Sequence, residues 1–419
     1  MGHMKYRPPG LLVASTLLLA GLGLVSCAAD TGARTISVPG DEPTIAAAVE
    51  SARPGDMVIV EEGTYRESIE VETADITIRG VDRNKVVLDG EFKRINGIEV
   101  HANGVAVENM TITGFVQNAL IFDGGYDRPT GATPGQGEDT LVGYRASHIT
   151  AYNNGLYGIY AFAARDGVIE NSYTSGHPDS GIYVGQCKPC NALVIGNIVE
   201  NNAIGYFGTN ASGNVSVVDN EFVGNRLGVA PNSQKAELLA PQEETVVAGN
   251  WVHDNDNPGA PEIPRGYFGG GIVVGAGTKN SIVNNRVEGH DGSGIEVSPL
   301  NEWAPSNNTV RGNVLRNNKW DLVHVSVDGR TNGNCFASNT YRTSSPADIE
   351  SLMSCPGGSG TVAAGAYEPL TAPPGPSYKD VPAPGPQPNM PNARTAPRTV
   401  VAGPPARDWV NESVVPEGR

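Results

Sequence analysis

The chain has 419 residues, a formal charge of −16 at pH 7, 53 glycines, 31 prolines, five cysteines and only 6% aromatic residues. So acidic a body repels the phosphates of nucleic acid and of anionic lipid, which excludes both as expected partners. Abundant Gly and Asn with few aromatics argue for a turn-dense β protein rather than a helical one.

Lys5 and Arg7 precede a mostly apolar run from Leu11 to Val25, followed by Ser26-Cys27. A basic start, a short hydrophobic run and a small residue before the break describe an export signal. About fifteen such residues are too few to span a bilayer as a permanent helix. Leu24-Val25-Ser26-Cys27 resembles a bacterial lipobox, which implies a signal peptide over 1–26 and a lipid on Cys27; an ordinary secretory signal with an incidental cysteine is the alternative. The expectation is an exported protein anchored to the bacterial cell membrane through that lipid, at the cell surface or in the periplasm, with 27–35 as a tether. Loss of Lys5 and Arg7 with the signal leaves a mature charge of about −18.

Asp41-Glu42-Pro43 opens a short helical stretch with Ile45, Val49 and Ala52 on one face, closed by Arg53-Pro54-Gly55. Self-similarity then dominates. A short strand recurs at Gly97-Ile98-Glu99-Val100, Ala119-Leu120, Gly158-Ile159-Tyr160, Gly181-Ile182-Tyr183-Val184 and Gly205-Tyr206-Phe207, then at Gly228-Val229-Ala230, Gly271-Ile272-Val273-Val274, Gly294-Ile295-Glu296-Val297 and Asp321-Leu322-Val323. The intervals are 22, 39, 23, 24, 23, 43, 23 and 27 residues. A second series interleaves: Asn109, Asn171, Asn197, Asn220, Asn250, Asn285, Asn313 and Asn339. Some 23 residues are too few to bury a core alone, whereas stacked units bury one continuous apolar column and pair each strand with its equivalents above and below. Asn tolerates left-handed turns, and identical amides can hydrogen-bond along the stack.

This pattern resembles the right-handed parallel β-helix of the pectin-lyase-like superfamily, which implies an all-β solenoid over 36–342. Ser345-Pro346 opens a small C-terminal cap over 343–356, and the Pro- and Gly-rich segment 357–419, without periodicity, reads as a flexible, disordered tail. With Cys27 assigned to lipid, an even remainder in an exported chain favours disulfides, Cys187 with Cys190 and Cys335 with Cys355. A redox or metal role for Cys187-Lys188-Pro189-Cys190 is the weaker alternative. No βαβ pattern surrounds it, and two thiolates fall short of the four ligands zinc takes.

Alternation along each repeated strand puts Ile159, Ile182, Ile272 and Ile295 inside. It leaves an outer stripe of Glu99, Ile121, Tyr160, Tyr183, Phe207, Ala230, Val273 and Glu296, with Phe162 two residues beyond Tyr160 on the same face. Rungs about 4.8 Å apart would make Tyr160, Tyr183 and Phe207 a stacking platform for sugar rings, unless a long loop packs over them. The two double-length intervals hold insertions at 123–142, 231–244 and 257–269, which would wall this stripe into a cleft. Tyr160, His177 and Asp179 are candidate acid/base residues. His177 and His290, however, occupy a turn position filled by Asn202 and Asn225 elsewhere. Glu99, Phe162, Arg165, Tyr183, Phe207 and Glu296 are candidate substrate contacts, with an arginine available to neutralise a uronate carboxylate.

Specific superfamily chemistries do not carry over. The acidic calcium cluster of pectate lyases, the Asp-Asp pair of polygalacturonases and the Tyr-Gly-x-Asp-Pro-His of alginate epimerases are missing from the sequence; Tyr157-Gly158 continues as Ile159-Tyr160-Ala161. The chain most resembles exported β-helix proteins with Gly185-Gln186-Cys187-x-Pro189-Cys190 and Gly205-Tyr206-x-Gly208-Thr209-Asn210, a likeness that brings no catalytic residue. The expected function is a cell-envelope lipoprotein that binds a polysaccharide along the aromatic sheet, or modifies it as a lyase or C5-epimerase. A non-catalytic glycan-binding or structural surface protein is the alternative. No cofactor or metal is expected, the membrane is met only through the lipid, and the chain is expected to be a monomer.

Overall fold

The computed structural model describes residues 32–125, 135, 140–263, 266–326, 328–358, 360–395, 403–404 and 407–417. The expected signal peptide, the lipidation site Cys27 and the first residues of the tether lie outside the described residues.

The helix Ile45–Ser51 covers the first coil. Thr44 caps it by accepting from the Ala47 amide, and Ile45, Ala48 and Val49 are buried beneath it. The Glu67 carboxylate accepts from the free amides of Ile45 and Ala46 at 3.0 and 2.9 Å, so the first turn is tied to the coil that follows. From there every strand ladder is parallel. Eleven strands, from Ile69–Val71 to Ser344–Ser345, form one sheet with one strand per coil. All nine repeated strands of the sequence analysis lie in it.

Two further strand series complete each coil. They join into one sheet because Val105–Thr113 and Leu141–Tyr152 run continuously round a corner. That corner is turned at Asn109 and His148, with φ of 56° and 54°. In later coils the same place holds Asn171, Gly196, Asp219, Gly249, Asn284 and Gly312, all at positive φ. These residue types tolerate the left-handed conformation, which a β-branched residue would not.

The interior is the expected apolar column. Ile98, Leu120, Ile159, Ile182, Tyr206, Val229, Ile272, Ile295 and Leu322 stack in register, all fully buried. Beside it runs a polar seam. Asn197, Asn220, Asn250, Asn285, Asn313 and Asn339 each accept, on Oδ1, the backbone amide of the ladder residue one coil earlier, Asn197 from Ser172, at 2.9–3.0 Å. Glu350 of the C-terminal cap ends the chain of bonds by accepting from Asn339 at 2.8 Å. The seam corrects the expected asparagine series in one respect. Asn109 and Asn171 are the left-handed corner residues, and the ladder member in the coil of Asn171 is its neighbour Ser172, whose hydroxyl accepts from the Ile149 amide.

Both disulfides are present, Cys187–Cys190 and Cys335–Cys355. The first lies in the apolar column, with both cysteines fully buried. The second ties the cap helix Ile349–Leu352 to the strand Cys335–Ala337 of the last coil. Closing a loop of this length contributes about 3 kcal/mol through the unfolded state.

The C-terminal segment is almost free of regular structure, as its composition implies, with a 3-10 turn at Tyr378–Asp380 and a helical turn at Trp409–Glu412. Composition did not reveal that its described residues lie against the solenoid. Arg83, almost wholly buried, donates to the Pro388 carbonyl, Arg79 to those of Ala393 and Thr395, and Asn153 to that of Val381. Trp409, 6% exposed, covers an outward apolar patch of Val218, Ala248 and Val283. A segment too poor in apolar residues to fold alone gains order by covering a surface that would otherwise face water.

Asn250→Ala tests the seam. It would leave the Asn220 backbone N–H without its acceptor, and would remove one of the two donors to Asn285 Oδ1 and the donor to the Val217 carbonyl. The expected loss is about 2–4 kcal/mol, read from the urea unfolding midpoint; a loss below about 0.5 kcal/mol would show that the seam does not hold the coils.

Candidate functional site: an acidic aromatic cleft on the eleven-stranded sheet

The outer stripe forms as alternation dictates. Glu99 pairs with Ile121, Ile121 with Tyr160, Tyr160 with Tyr183, Tyr183 with Phe207 and Phe207 with Ala230. The Tyr160 and Tyr183 rings are 4.8 Å apart, Tyr183 and Phe207 6.0 Å, and Phe162 stacks on Tyr160 at 5.8 Å and 5° between planes.

Two of the insertions build over this stripe. Gln234, Ala236 and Glu237 from the first stand opposite Ile121, Asp123, Tyr157, Tyr160 and Asp179 across a cleft of about 410 Å³. Tyr267, from the second, meets Phe207 edge-on at 6.2 Å, and Ile263 joins the same apolar cluster. The platform is therefore partly open and partly roofed. Tyr183 and Phe207 are only 4% and 3% exposed, while Tyr157 and Tyr160 are half-buried and face the cleft. Most of the insertion after Asp123 lies outside the described residues. Its Gly135 carbonyl accepts from the Lys188 amide at 3.0 Å, just past the strand Ser180–Gly185.

Three carboxylates line the cleft, Asp123, Asp179 and Glu237, and among its described lining residues there is no Lys, Arg or His. The Tyr183 hydroxyl donates to Glu237. Burial first, and Glu237 second, push that phenol well above its ordinary range; burial and then Asp179 do the same for Tyr157. Both hydroxyls stay protonated at physiological pH and serve as hydrogen-bond donors.

Asp179 lies in the cleft with Tyr160, but His177 does not. It is fully buried in a second internal ladder: its Nδ1 donates to Asn202 Oδ1 at 2.8 Å and its Nε2 accepts from Asn154 Nδ2 at 3.2 Å. Desolvation lowers its pKa to about 4. The alternation that orders strands does not extend to the turn before one, and there the ring points inward. His290 repeats the arrangement between Asn318 and Asn255, also with a pKa of about 4. The expectation of His177 as an acid/base residue is corrected accordingly.

Arg165 is likewise absent from the cleft lining. It sits in the strand Ala164–Glu170 of the other sheet and pairs with Asp166 at 2.8 Å. Glu99 and Glu296 are on the stripe but outside the cleft; Glu99 accepts from Asn96, and Glu296 is 8% exposed beneath Tyr367 of the C-terminal segment. The sequence reading passed over Tyr157 and Glu237. Alternation assigns Tyr157 to the interior with Ile159, but as the first residue of its strand it leaves the column at the corner and stacks on Tyr160 at 4.5 Å. Glu237 belongs to an irregular insertion, where no period places a side chain.

The family model described as the right handed beta helix region matches residues 232–346. The chain is a right-handed parallel β-helix. A second model, described as periplasmic copper-binding protein (NosD), matches residues 145–239 of the β-helix. No curated protein matches the sequence. Solved structures similar to the β-helix include the A-module of the mannuronan C-5 epimerase AlgE4 of Azotobacter vinelandii, at 12% identity over 69% of this chain and 87% of that one, with a TM-score of 0.45. Pectate lyase Pel9A matches at 14% identity over 78% and 82%, TM-score 0.39, and an alginate lyase from Paenibacillus at 14% over 74% and 99%, TM-score 0.34. Among the described residues no group of three or more His, Cys, Asp or Glu side chains is placed to hold a metal ion.

Protonating His177 or His290 would set an N–H at Nε2 against an amide N–H. Their folded pKa of about 4 lies below the unfolded value near 6.5. The unfolded chain therefore binds more protons between these limits, and stability falls as pH drops from about 6.5 towards 4. Replacing both, His177→Asn with His290→Asn, should lessen the dependence of the urea midpoint on pH across that window, His324, whose pKa burial also lowers to about 4, keeping its share, and leave the midpoint almost unchanged at pH 7. An unaltered slope would place the titrating groups elsewhere.

Proposed function

We propose that this β-helix is an exported, envelope-associated protein whose cleft binds polysaccharide, and that uncharged sugar chains suit it better than polyuronates. The observation that carries the reading is the composition of the cleft: half-buried Tyr157 and Tyr160 rings beside Asp123, Asp179 and Glu237, with no cation among the described lining residues. An aromatic face stacks on the C–H face of a sugar ring, and carboxylates accept from its hydroxyl groups. A chain carrying one carboxylate per sugar would meet like charge at close range, in addition to the repulsion of a body at −16.

The same composition favours binding over the lyase or epimerase alternative. Both of those reactions abstract a proton beside a uronate carboxylate, which must be neutralised. His177 is locked in the interior ladder and Arg165 is paired with Asp166 outside the cleft. Export is supported by the two disulfides, which persist in oxidising compartments, and by the N-terminal sequence with its Cys27. The description of the NosD family as periplasmic points the same way, while the copper binding it names finds no ligand cluster among the described residues. Lipidation at Cys27 and a monomeric state complete the proposal.

Tyr160→Ala should weaken binding to neutral glycans on an array roughly five- to tenfold, equivalent to about 1 kcal/mol of ring stacking, with the melting temperature held. Wild-type protein that binds pectin or alginate as well as neutral chains would contradict the charge argument. A rise in ultraviolet absorbance from unsaturated ends on those polymers would restore the lyase reading.

A further inference from the structure

The stripe does not stop where the cleft does. Phe207 pairs with Ala230, the register of Val229 with Ile272 sets Ala230 beside Val273, and Val273 pairs with Glu296. Phe207 lines both the cleft and a second hollow of about 180 Å³, whose walls include Leu227, Tyr267, Val273, Glu296 and Tyr367. One column of outward side chains thus runs under both, and the difference between its halves lies in what covers it.

Over the far half the cover begins with Ile263 and Tyr267 at Phe207 and continues with the C-terminal segment. The Tyr367 hydroxyl donates to Glu296 Oε2 at 2.6 Å, the oxygen that also accepts from Ser293 at 2.9 Å. The Tyr367 amide donates to Ser345 Oγ at 3.0 Å, which fixes the backbone over the edge of the sheet. Leu370 lies close over Gly269 and Gly292, where an added Cβ would come within 2.7 and 3.5 Å of its side chain. Further on, Arg226 donates to the Pro373 carbonyl and the Gly375 amide to Glu262 at 3.2 Å. A flat ring lying against the stripe, with a hydroxyl bonded to a stripe carboxylate, presents the same chemistry as a sugar ring in the open half.

We propose that residues 367–370 form the end wall of the glycan groove, and that Tyr367 on Glu296 sets how long a sugar chain the groove accepts. This rests on the polysaccharide reading of the cleft. The cleft spans the rungs of Ile121, Tyr160, Tyr183 and Phe207, three spacings or about 14 Å, with the half-buried Tyr160 ring facing it and Tyr267 edge-on to Phe207 at its far end. The covered half, from Phe207 to Glu296, adds three more. Chains longer than the open half project past the wall into water and gain nothing from their extra rings. Removing the wall exposes a carboxylate and an apolar floor to those rings.

The test is titration calorimetry of the full chain with cello- and chito-oligosaccharides from dimer to octamer. For wild type, affinity should rise to about the trimer or tetramer and then level off. Tyr367→Ala should leave trimer affinity within twofold and tighten hexamer binding roughly fivefold or more. Tyr367→Phe keeps the ring and should keep most of the levelling. A hexamer-to-trimer affinity ratio that is the same in wild type and Tyr367→Ala overturns the end wall while leaving the polysaccharide reading intact. If wild type binds none of these oligosaccharides and no neutral glycan on an array, that reading fails and takes the end wall with it.

Discussion

Everything in this molecule follows from in-register parallel pairing of each strand with its equivalent one coil away. The coils are about 4.8 Å apart, so a side chain meets its counterpart above and below before it meets anything else. The interior therefore accepts only residues that tolerate their own kind as neighbours. Aliphatic side chains do so by packing, as in the column from Ile98 to Leu322. Asparagine does so by donating and accepting at once, so that one amide satisfies the corner backbone of the coil before it and is satisfied by the next.

The same constraint explains where length can vary. An extra residue within a strand would shift every later side chain to the opposite face. Insertions are thus confined to the corners, and here the long ones flank a single stretch of the eleven-stranded sheet. They do two opposite things to the aromatic stripe. Ile263 and Tyr267 bury its centre at Phe207, which turns a platform into part of a core. Glu237 and Gln234 stand off from Tyr157 and Tyr160, which leaves a cleft.

What the sequence made legible was whatever the repeat enforces. The strands, the inward and outward residues and the stripe from Glu99 to Glu296 follow from a period of 22–24 residues and alternation within it, while the cap helix Ile45–Ser51 follows from its boundary residues and both cysteine pairs from an even count in an exported chain. The features it hid lie where periodicity lapses. Asn171 and Ser172 are adjacent and both polar, and only the backbone shows that the first turns the corner while the second bonds along the stack. Glu237 sits in an insertion with no period. The docking of the C-terminal segment depends on matches between isolated residues, Arg83 with Pro388 or Trp409 with Val218, that span hundreds of positions and leave no local pattern.

The histidines show how far the solenoid limits its own chemistry. His177 and His290 are the residue type most often used to move protons near neutrality. Each is instead a substitute for asparagine, with an N–H on one side and a lone pair on the other at the heights the ladder requires. Neutrality is what makes the substitution possible, since a charged ring would present two donors to a seam that has room for one. Burial keeps the rings neutral, and neutrality keeps the coils joined. A group bound by that reciprocity cannot also exchange protons with a ligand outside. These interior side chains are thus engaged in joining the coils, which leaves recognition to outward side chains and to the loops laid over them.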